Sequence, residues 1–347
     1  MTVFVTGGAG FIGSELVRQL IAAGEPVVNI DKLTYAGSMD AVQEVAGSPL
    51  YRFARADVCD GARMHALFAE HRPQTVFHLA AESHVDRSID DPQVFVRTNI
   101  GGTAALLEAA RAYLRPLAPS KRDAFRFVQV STDEVYGELG PAGVFGESSP
   151  YRPSSPYSAC KAAADHLARA WCRTYGLPVI VSGCCNNYGP FQHPEKLIPS
   201  TIRRALEGRP LPVYGEGLQV RDWLHVADHA AALRQVAARG QVGGTYLAGA
   251  RNEWRNIDLV KRICAELDRC RPADAPHARL IEFVADRPGH DARYGVDPHR
   301  LETELGWRAR TPFDDGLAQT VAWYAGHAGW CARMSADAAG AAHDGPG

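Results

Sequence analysis

Residues 3–13 read Val3-Phe4-Val5-Thr6-Gly7-Gly8-Ala9-Gly10-Phe11-Ile12-Gly13. The apolar start, Thr2 to Thr6, reads as a short strand. From Phe11 to Ala23, apolar residues at Phe11, Leu16, Leu20 and Ile21 have helical spacing, and Gly24 follows as a stop. Between strand and helix lie Gly7, Gly10 and Gly13, with Gly8 completing a G-x-G-x-x-G. Glycines at this spacing allow a tight turn, close approach to a pyrophosphate and close helix packing. The helix start adds free N–H groups and a positive dipole end. The stretch therefore reads as a dinucleotide-binding loop. Pro26 to Ile30 is a second strand, and Asp31 follows it. An acid about 20 residues beyond the loop binds the adenine ribose hydroxyls. Its charge repels a 2′-phosphate, so NAD is expected rather than NADP.

Outward from the loop, strands and helices alternate. Tyr51 to Ala56, Thr75 to Leu79, Ala124 to Ser131 and Pro178 to Ser182 read as further strands. Gly61 to His71, a long helix from Pro92 to about Leu114 with Asp91 as cap, and Ser154 to Tyr175 read as helices. This alternation predicts an α/β fold: a Rossmann-type doubly wound parallel sheet with a smaller C-terminal α/β substrate-binding lobe. The cofactor domain is expected at 1–182 with about 226–249 returning to its sheet. The lobe takes 183–225 and 250–330, and 332–347, rich in Ala and Gly, is expected to be disordered.

Charge and composition exclude several function classes. With 37 Lys and Arg against 39 Asp and Glu, the formal net charge is −2, so no nucleic-acid partner is expected. No run approaches the ~20 apolar residues of a membrane span. The chain reaches its first strand with no room for a leader, so a cytoplasmic location is expected. The 8 cysteines form no C-x-x-C pair and are expected as reduced thiols. His225 and His229 stand at i, i+4 but lack a third ligand, so no metal is expected.

Tyr157 and Lys161 share a helix face at i, i+4. A nearby ammonium and a cationic nicotinamide ring both favour a phenolate base. Ser131-Thr132 closes the strand before that helix, and Thr132 can bond the oxygen that Tyr157 deprotonates. Asp133-Glu134 follows directly. Two adjacent carboxyls in unequal surroundings can hold one proton between them and act as acid and base.

These stretches resemble the extended short-chain dehydrogenases/reductases that act on nucleotide sugars, and more narrowly the dTDP-glucose 4,6-dehydratases. The resemblance runs through TGGAGFIGS from Thr6, DKLTYAG from Asp31, HLAAESHVDRSI from His78, STDEVYGEL from Ser131 and SSPYSACKAAADHL from Ser154. It continues through CNNYGPFQHPEKLIP from Cys185, VRDWLHVADH from Val220, RNID from Arg255 and ADRPGHDARY from Ala285. It implies a hydro-lyase with bound NAD that oxidises C4, eliminates water across C5 and C6, and returns the hydride to C6. Tyr157, Lys161 and Thr132 would serve the oxidation, Glu134 would take the C5 proton, and Asp133 would protonate the departing hydroxyl.

The resemblance also assigns binding positions. Gly7, Gly10, Phe11, Ile12, Gly13, Asp31, Lys32, Leu33, Thr34, Asp57, Val58, Leu79, Ala80, Ala81, Ser83, Thr98, Tyr157, Lys161 and Asn187 would hold the cofactor. Ser83, Thr132, Asn186, Lys196, Leu197, Pro212, Val213, Tyr214, Arg221, Asn256, Asp286, Arg287 and His290 would hold the nucleotide sugar. A diphosphate wants Arg or Lys, and Arg221 can bind it bidentately. Asn256 can equally be read as a helix cap. The resemblance implies a homodimer through the helices from Pro92 to Leu114 and Ser154 to Tyr175. Cys160, Gly183, Cys185 and a short 140–146 loop depart from the family pattern, the middle two near the nicotinamide. A 4,6-dehydratase of a UDP-, CDP- or GDP-sugar is the nearest alternative. A 4-epimerase or decarboxylase lacks the acid pair, and a non-catalytic NAD sensor would not need Thr132, Tyr157 and Lys161.

Overall fold

The computed structural model describes residues 2–286 and 288–341. Strands β1 (Val3–Thr6), β2 (Val27–Asp31), β3 (Tyr51–Arg55), β4 (Thr75–His78), β5 (Arg126–Val130) and β6 (Val179–Cys184) build the main sheet. Short β7 (Asn186–Tyr188), β8 (Leu211–Tyr214) and β9 (Val220–His225) lie outside it, and β10 (Thr245–Ala248) rejoins it. The sheet order is β10-β6-β5-β4-β1-β2-β3, all parallel. This is the doubly wound sheet expected from the alternation. The order reverses between β1 and β4, whose ends Thr6 and His78 are register partners. In such sheets the crevice outside the strand carboxyl ends at the reversal is where ligands bind.

Two apolar clusters cover the faces. One joins Val3, Val5, Leu16, Val128 and Leu247; the other joins Phe4, Val28, Leu106, Leu107 and Phe127. Helices α1 (Phe11–Ala22) and α2 (Gly61–His71) lie on opposite faces. β6 runs two residues past the expected Ser182, because β10 pairs with it as far as Ala248↔Cys184. A Cβ on Gly183 would stand 2.9 Å from Leu247 Cδ2. Gly183 therefore packs against β10.

The long helix α3, residues 92–114, begins where Asp91 Oδ1 accepts from Gln93 N at 3.2 Å. It is not uniform: Val96–Gly102 is a π-helical turn before the α-helix resumes at Thr103. Asn99 in that turn accepts from Glu82 N at 2.8 Å and donates to Glu82 O at 3.0 Å. The wider turn thus ties α3 to the segment after β4. Helix α4 (Pro156–Tyr175) starts with a capping box between Ser155 and Ser158.

The lobe contains β7, β9 and β11 (Glu253–Arg255), with a separate β8–β12 (Ile281–Val284) pair. Its core gathers Ile198, Ile202, Val213, Ile263, Leu317 and Tyr324 from helices α5 (Leu197–Leu206), α7 (Asn256–Cys270) and α9 (Phe313–Gly326), and from β8. Helix α6 (Val226–Arg239) packs on α1, and α8 (His299–Leu305) on α6. The tail expected to be disordered from Ala332 is instead helical as α10 (Ala328–Ala341). Trp330, Cys331 and Met334 on one helix side bury themselves in the lobe core, which the small residues around them obscure in the sequence. Residues 342–347 lie outside the described residues. Among the described residues no helix is long and apolar enough to cross a membrane.

Candidate active site

The carboxyl ends of β1, β2, β4, β5 and β6 open into one cavity of about 310 Å³. At the end of β1 the glycines sit where side chains cannot. Gly7 has φ +73, and a Cβ there would lie 2.7 Å from Ala80 N. A Cβ on Gly13 would lie 2.1 Å from the Gly7 carbonyl oxygen. The turn thus holds the start of α1 against the β4 end and leaves its backbone facing the cavity.

At the end of β2, Asp31 Oδ2 accepts from Ala9 N at 3.0 Å and Oδ1 from Leu33 N at 2.8 Å. Burial pushes the Asp31 carboxyl up, against the pull of these two donors and of Lys32. Leu33 holds a left-handed backbone, φ 59, to make its bond. Such non-glycine strain gathers at ligand sites. The cradle and the acid fit a dinucleotide. Lys32 Nζ stands 3.5 Å from Asp57 and 3.8 Å from Glu82. Of the expected cofactor residues, Leu33 and Asp57 lie outside the cavity lining and touch it only through Asp31 and Lys32; the others line it.

Tyr157 and Lys161 are both buried on α4. Lys161 Nζ donates to the Val130 carbonyl at 2.5 Å. Burial lowers the Lys161 pKa, and Asp165 and the Cys184 thiol oppose that fall. Tyr157 is held protonated, by burial first and the Glu134 charge second, while the Thr132 hydroxyl works the other way. The Lys161 ammonium points to the strand carbonyl, so the expected phenolate depends on the second of its two charges, that of the nicotinamide ring. Positive charge added to the cavity is needed to make a base of this phenol.

Thr132 caps a short 3₁₀ turn, Asp133–Tyr136. Its Oγ1 accepts from Glu134 N and donates to Asp133 Oδ1, both at 3.3 Å. Asp133 is 2% exposed, and its Oδ2 is buried with no hydrogen-bond partner. Burial, and then the Glu134 charge, push the Asp133 pKa up to about 8, against Arg221. Asp133 is thus a neutral acid at pH 7 beside a half-buried Glu134. Cys184 and Cys185 line the cavity wall beyond them, and Cys160 is buried.

The expected nucleotide-sugar residues divide. Ser83, Thr132, Asn186 and Lys196 line the cavity. Lys196 Nζ donates to Ser83 O at 2.9 Å. Arg221 is buried, donates to Val220 O and Asp291 O at 2.8 Å, and stacks 4.2 Å over Tyr294. Tyr214, Asp286 and His290 group on the lobe, with His290 Nδ1 2.6 Å from Asp286 Oδ1. Pro212 is exposed beside them. Val213 belongs to the lobe core, and Leu197 packs against it. Asn256 is not the cap of α7: Arg255 takes that position, because β11 runs directly into the helix. Asn256 Oδ1 is buried without a partner. Arg287 lies outside the described residues.

The lining also includes Glu82, Ser131, Gln192, His193 and Glu195, which the sequence reading passed over. Glu195 accepts from Tyr35 OH at 3.4 Å and stands 3.6 Å from both Arg87 and His84. The signal was the acid beside Lys196, inside a stretch already singled out. His229 Nδ1 is 2.9 Å from Asn187 Oδ1, which orients that cavity residue. Among the described residues no group of His, Cys, Asp and Glu could hold a metal ion.

The sequence profile of a family described as GDP-mannose 4,6 dehydratase matches residues 4–320. A probable dTDP-glucose 4,6-dehydratase of Sinorhizobium fredii is 55% identical over 330 residues, covering 95% of this chain and 94% of the relative. The dTDP-glucose 4,6-dehydratase of Neisseria meningitidis is 55% identical over 334 residues, 94% of each chain. Among solved structures, the Streptomyces venezuelae dTDP-glucose 4,6-dehydratase with NAD bound superposes with a TM-score of 0.89 at 44% identity, covering 96% of this chain and all of that one. A Thermus thermophilus UDP-glucose 4-epimerase complex with NAD gives 0.83 at 31% identity, covering 94% of this chain and all of that one. The fold is thus shared by dehydratases and epimerases, and the site residues must separate them.

Proposed function

Because the chain belongs to the dTDP-glucose 4,6-dehydratases, within the family described as GDP-mannose 4,6 dehydratase, we infer that it converts dTDP-glucose to dTDP-4-keto-6-deoxyglucose and water. It is an NAD-dependent hydro-lyase. The observation that carries the elimination is Asp133: a buried carboxyl, neutral up to about pH 8, beside Glu134. An epimerase needs no such proton donor.

When bound, NAD supplies a reversible hydride store, so the net redox change is zero. The residues do the rest. As the phenolate that added positive charge favours, Tyr157 accepts the C4 hydroxyl proton, with Thr132 bonded to the same oxygen. A C4 ketone acidifies the C5 proton, which Glu134 removes. Asp133 gives its proton to the leaving C6 hydroxyl, whose oxygen departs as water. Lys196 and Arg221 supply the positive charge that a diphosphate requires. Since a cofactor lost in mid-cycle would strand the intermediate, tight retention by the glycine cradle and Asp31 is part of the reading.

The elimination should weaken with rising pH. Asp133 donates only while protonated, so elimination is expected to fall as pH rises through about 8. Steady-state rates from pH 6 to 10 check the sign; an elimination rate that climbs across that range contradicts it. Product formed in deuterated water should carry the label at C5.

We also place the enzyme in the cytoplasm and as a homodimer. Val94 and Val96 at the start of α3, each 42% exposed, and Tyr175 at the end of α4, 51% exposed, are the apolar surface that supports pairing. Light scattering is expected to give twice the 37.6 kDa chain mass, and Val94→Glu to halve it.

A further inference from the structure

Asp165 lies one helical turn beyond Lys161 on α4 and is 0% exposed. The reaction described above gives it no task. Its Oδ2 accepts from Ser131 Oγ at 2.5 Å and from Tyr151 OH at 2.9 Å. Arg169, a further turn along, donates to Tyr151 OH at 2.7 Å and to Thr245 Oγ1 at 3.2 Å. Asp165 Oδ1 is buried without a partner, and burial pushes the Asp165 pKa up against the pull of Lys161, Ser131 and Arg169.

Two of its neighbours belong to the active site. Ser131 is the first residue past β5 and is followed directly by Thr132, Asp133 and Glu134. Lys161 shares its helix face at i, i+4. We propose that Asp165 is a positioning residue that joins the two halves of the site: its bond to Ser131 fixes the strand end carrying the acid pair, and its charge keeps Lys161 an ammonium. This rests on the dehydratase reading above.

The groups around the pair support this division. Lys161 faces the Val130 carbonyl from β5, the Cys184 thiol from β6, neutral His78 from β4, and Tyr157 and Asp165 on its own helix. Asp165 is the carboxylate among them. Asp165 in turn faces Ser131, Tyr151 and Tyr136 from outside the helix, and Arg169 and Lys161 on it. Burial lowers the Lys161 pKa and raises that of Asp165, and each opposes the shift in the other.

The test uses the holoenzyme with dTDP-glucose in single turnovers. C4 oxidation, read as reduced nicotinamide absorbance, does not need the Asp133 proton, so its alkaline limb reports Lys161. In Asp165→Asn that limb should move at least one pH unit lower, a tenfold loss at the alkaline end with near-normal rates at the neutral end. Asp165→Glu keeps the charge and should restore the limb while elimination stays slow. Ser131→Ala should leave the limb unmoved, slow elimination about tenfold, and speed amide exchange at residues 132–134. An equal loss at every pH in Asp165→Asn overturns the charge role. Wild-type elimination and exchange in Ser131→Ala overturn the tether. If Asp165→Asn does not fold, Asp165→Glu and Ser131→Ala decide: a shifted limb in the first, or no exchange change in the second, counts against the proposal. Should wild-type protein never reduce its nicotinamide with this sugar, the dehydratase reading fails, while amide exchange still tests the tether.

Discussion

Asp133→Asn is expected to oxidise C4 normally and to stop there. An amide has nearly the shape of the acid but no proton to give a leaving hydroxyl. General acid catalysis contributes roughly 10²–10⁴-fold, so kcat should fall by about that factor. Asp133 Oδ2 has no partner to lose, and Thr132 Oγ1 can still donate to Oδ1. The substitution also removes a carboxyl that burial disfavours in its charged form. The variant is therefore expected to be as stable as the parent, or more so. The bound nicotinamide should become reduced after one addition of sugar and stay reduced. Glu134→Gln should give the same arrest, with the added loss of solvent label at C5. An Asp133→Asn enzyme that releases product at the parental rate would remove this residue from the reaction.

Gly13→Ala is expected to abolish cofactor retention. The new Cβ would sit 2.1 Å from the Gly7 carbonyl oxygen, a backbone atom within the turn itself. No side-chain rotation relieves that contact. Either the turn opens or α1 moves away from it, and both spoil the N–H geometry that a pyrophosphate needs. Overpacking of this kind costs about 1–3 kcal/mol in stability before the lost ligand binding is counted. Cofactor content after gel filtration should drop at least tenfold. Gly61→Ala is the control: a Cβ at Gly61, the first residue of α2, meets nothing within 4 Å. Equal cofactor content in the two variants would contradict the assignment of the turn.

The central half of the fold was legible because its signals are local. A strand, a glycine turn and a helix follow one another in residues 3–22, and Asp31 stands directly behind β2. Tyr157 and Lys161 are one turn apart, and Thr132 to Glu134 are consecutive. What escaped depends on contacts distant along the chain. The π turn at Val96–Gly102 follows from the Asn99 bonds to Glu82, 17 residues away, which periodicity cannot show. Nothing local in the sequence ties Asp165 to Ser131, 34 residues earlier. The helix at Ala328–Ala341 has a weak apolar stripe, and its order comes from a lobe core assembled from residues 188–324. The partner of Lys161 escaped too, because i, i+4 spacing places it near Tyr157 without saying which oxygen its ammonium will bond.

The most direct test is to incubate the purified protein with dTDP-glucose, adding no cofactor, and to follow the mass of the sugar nucleotide. The account predicts loss of one water per molecule, with no net accumulation of reduced nicotinamide over many turnovers. An unchanged mass, after NAD is added as well, would contradict it.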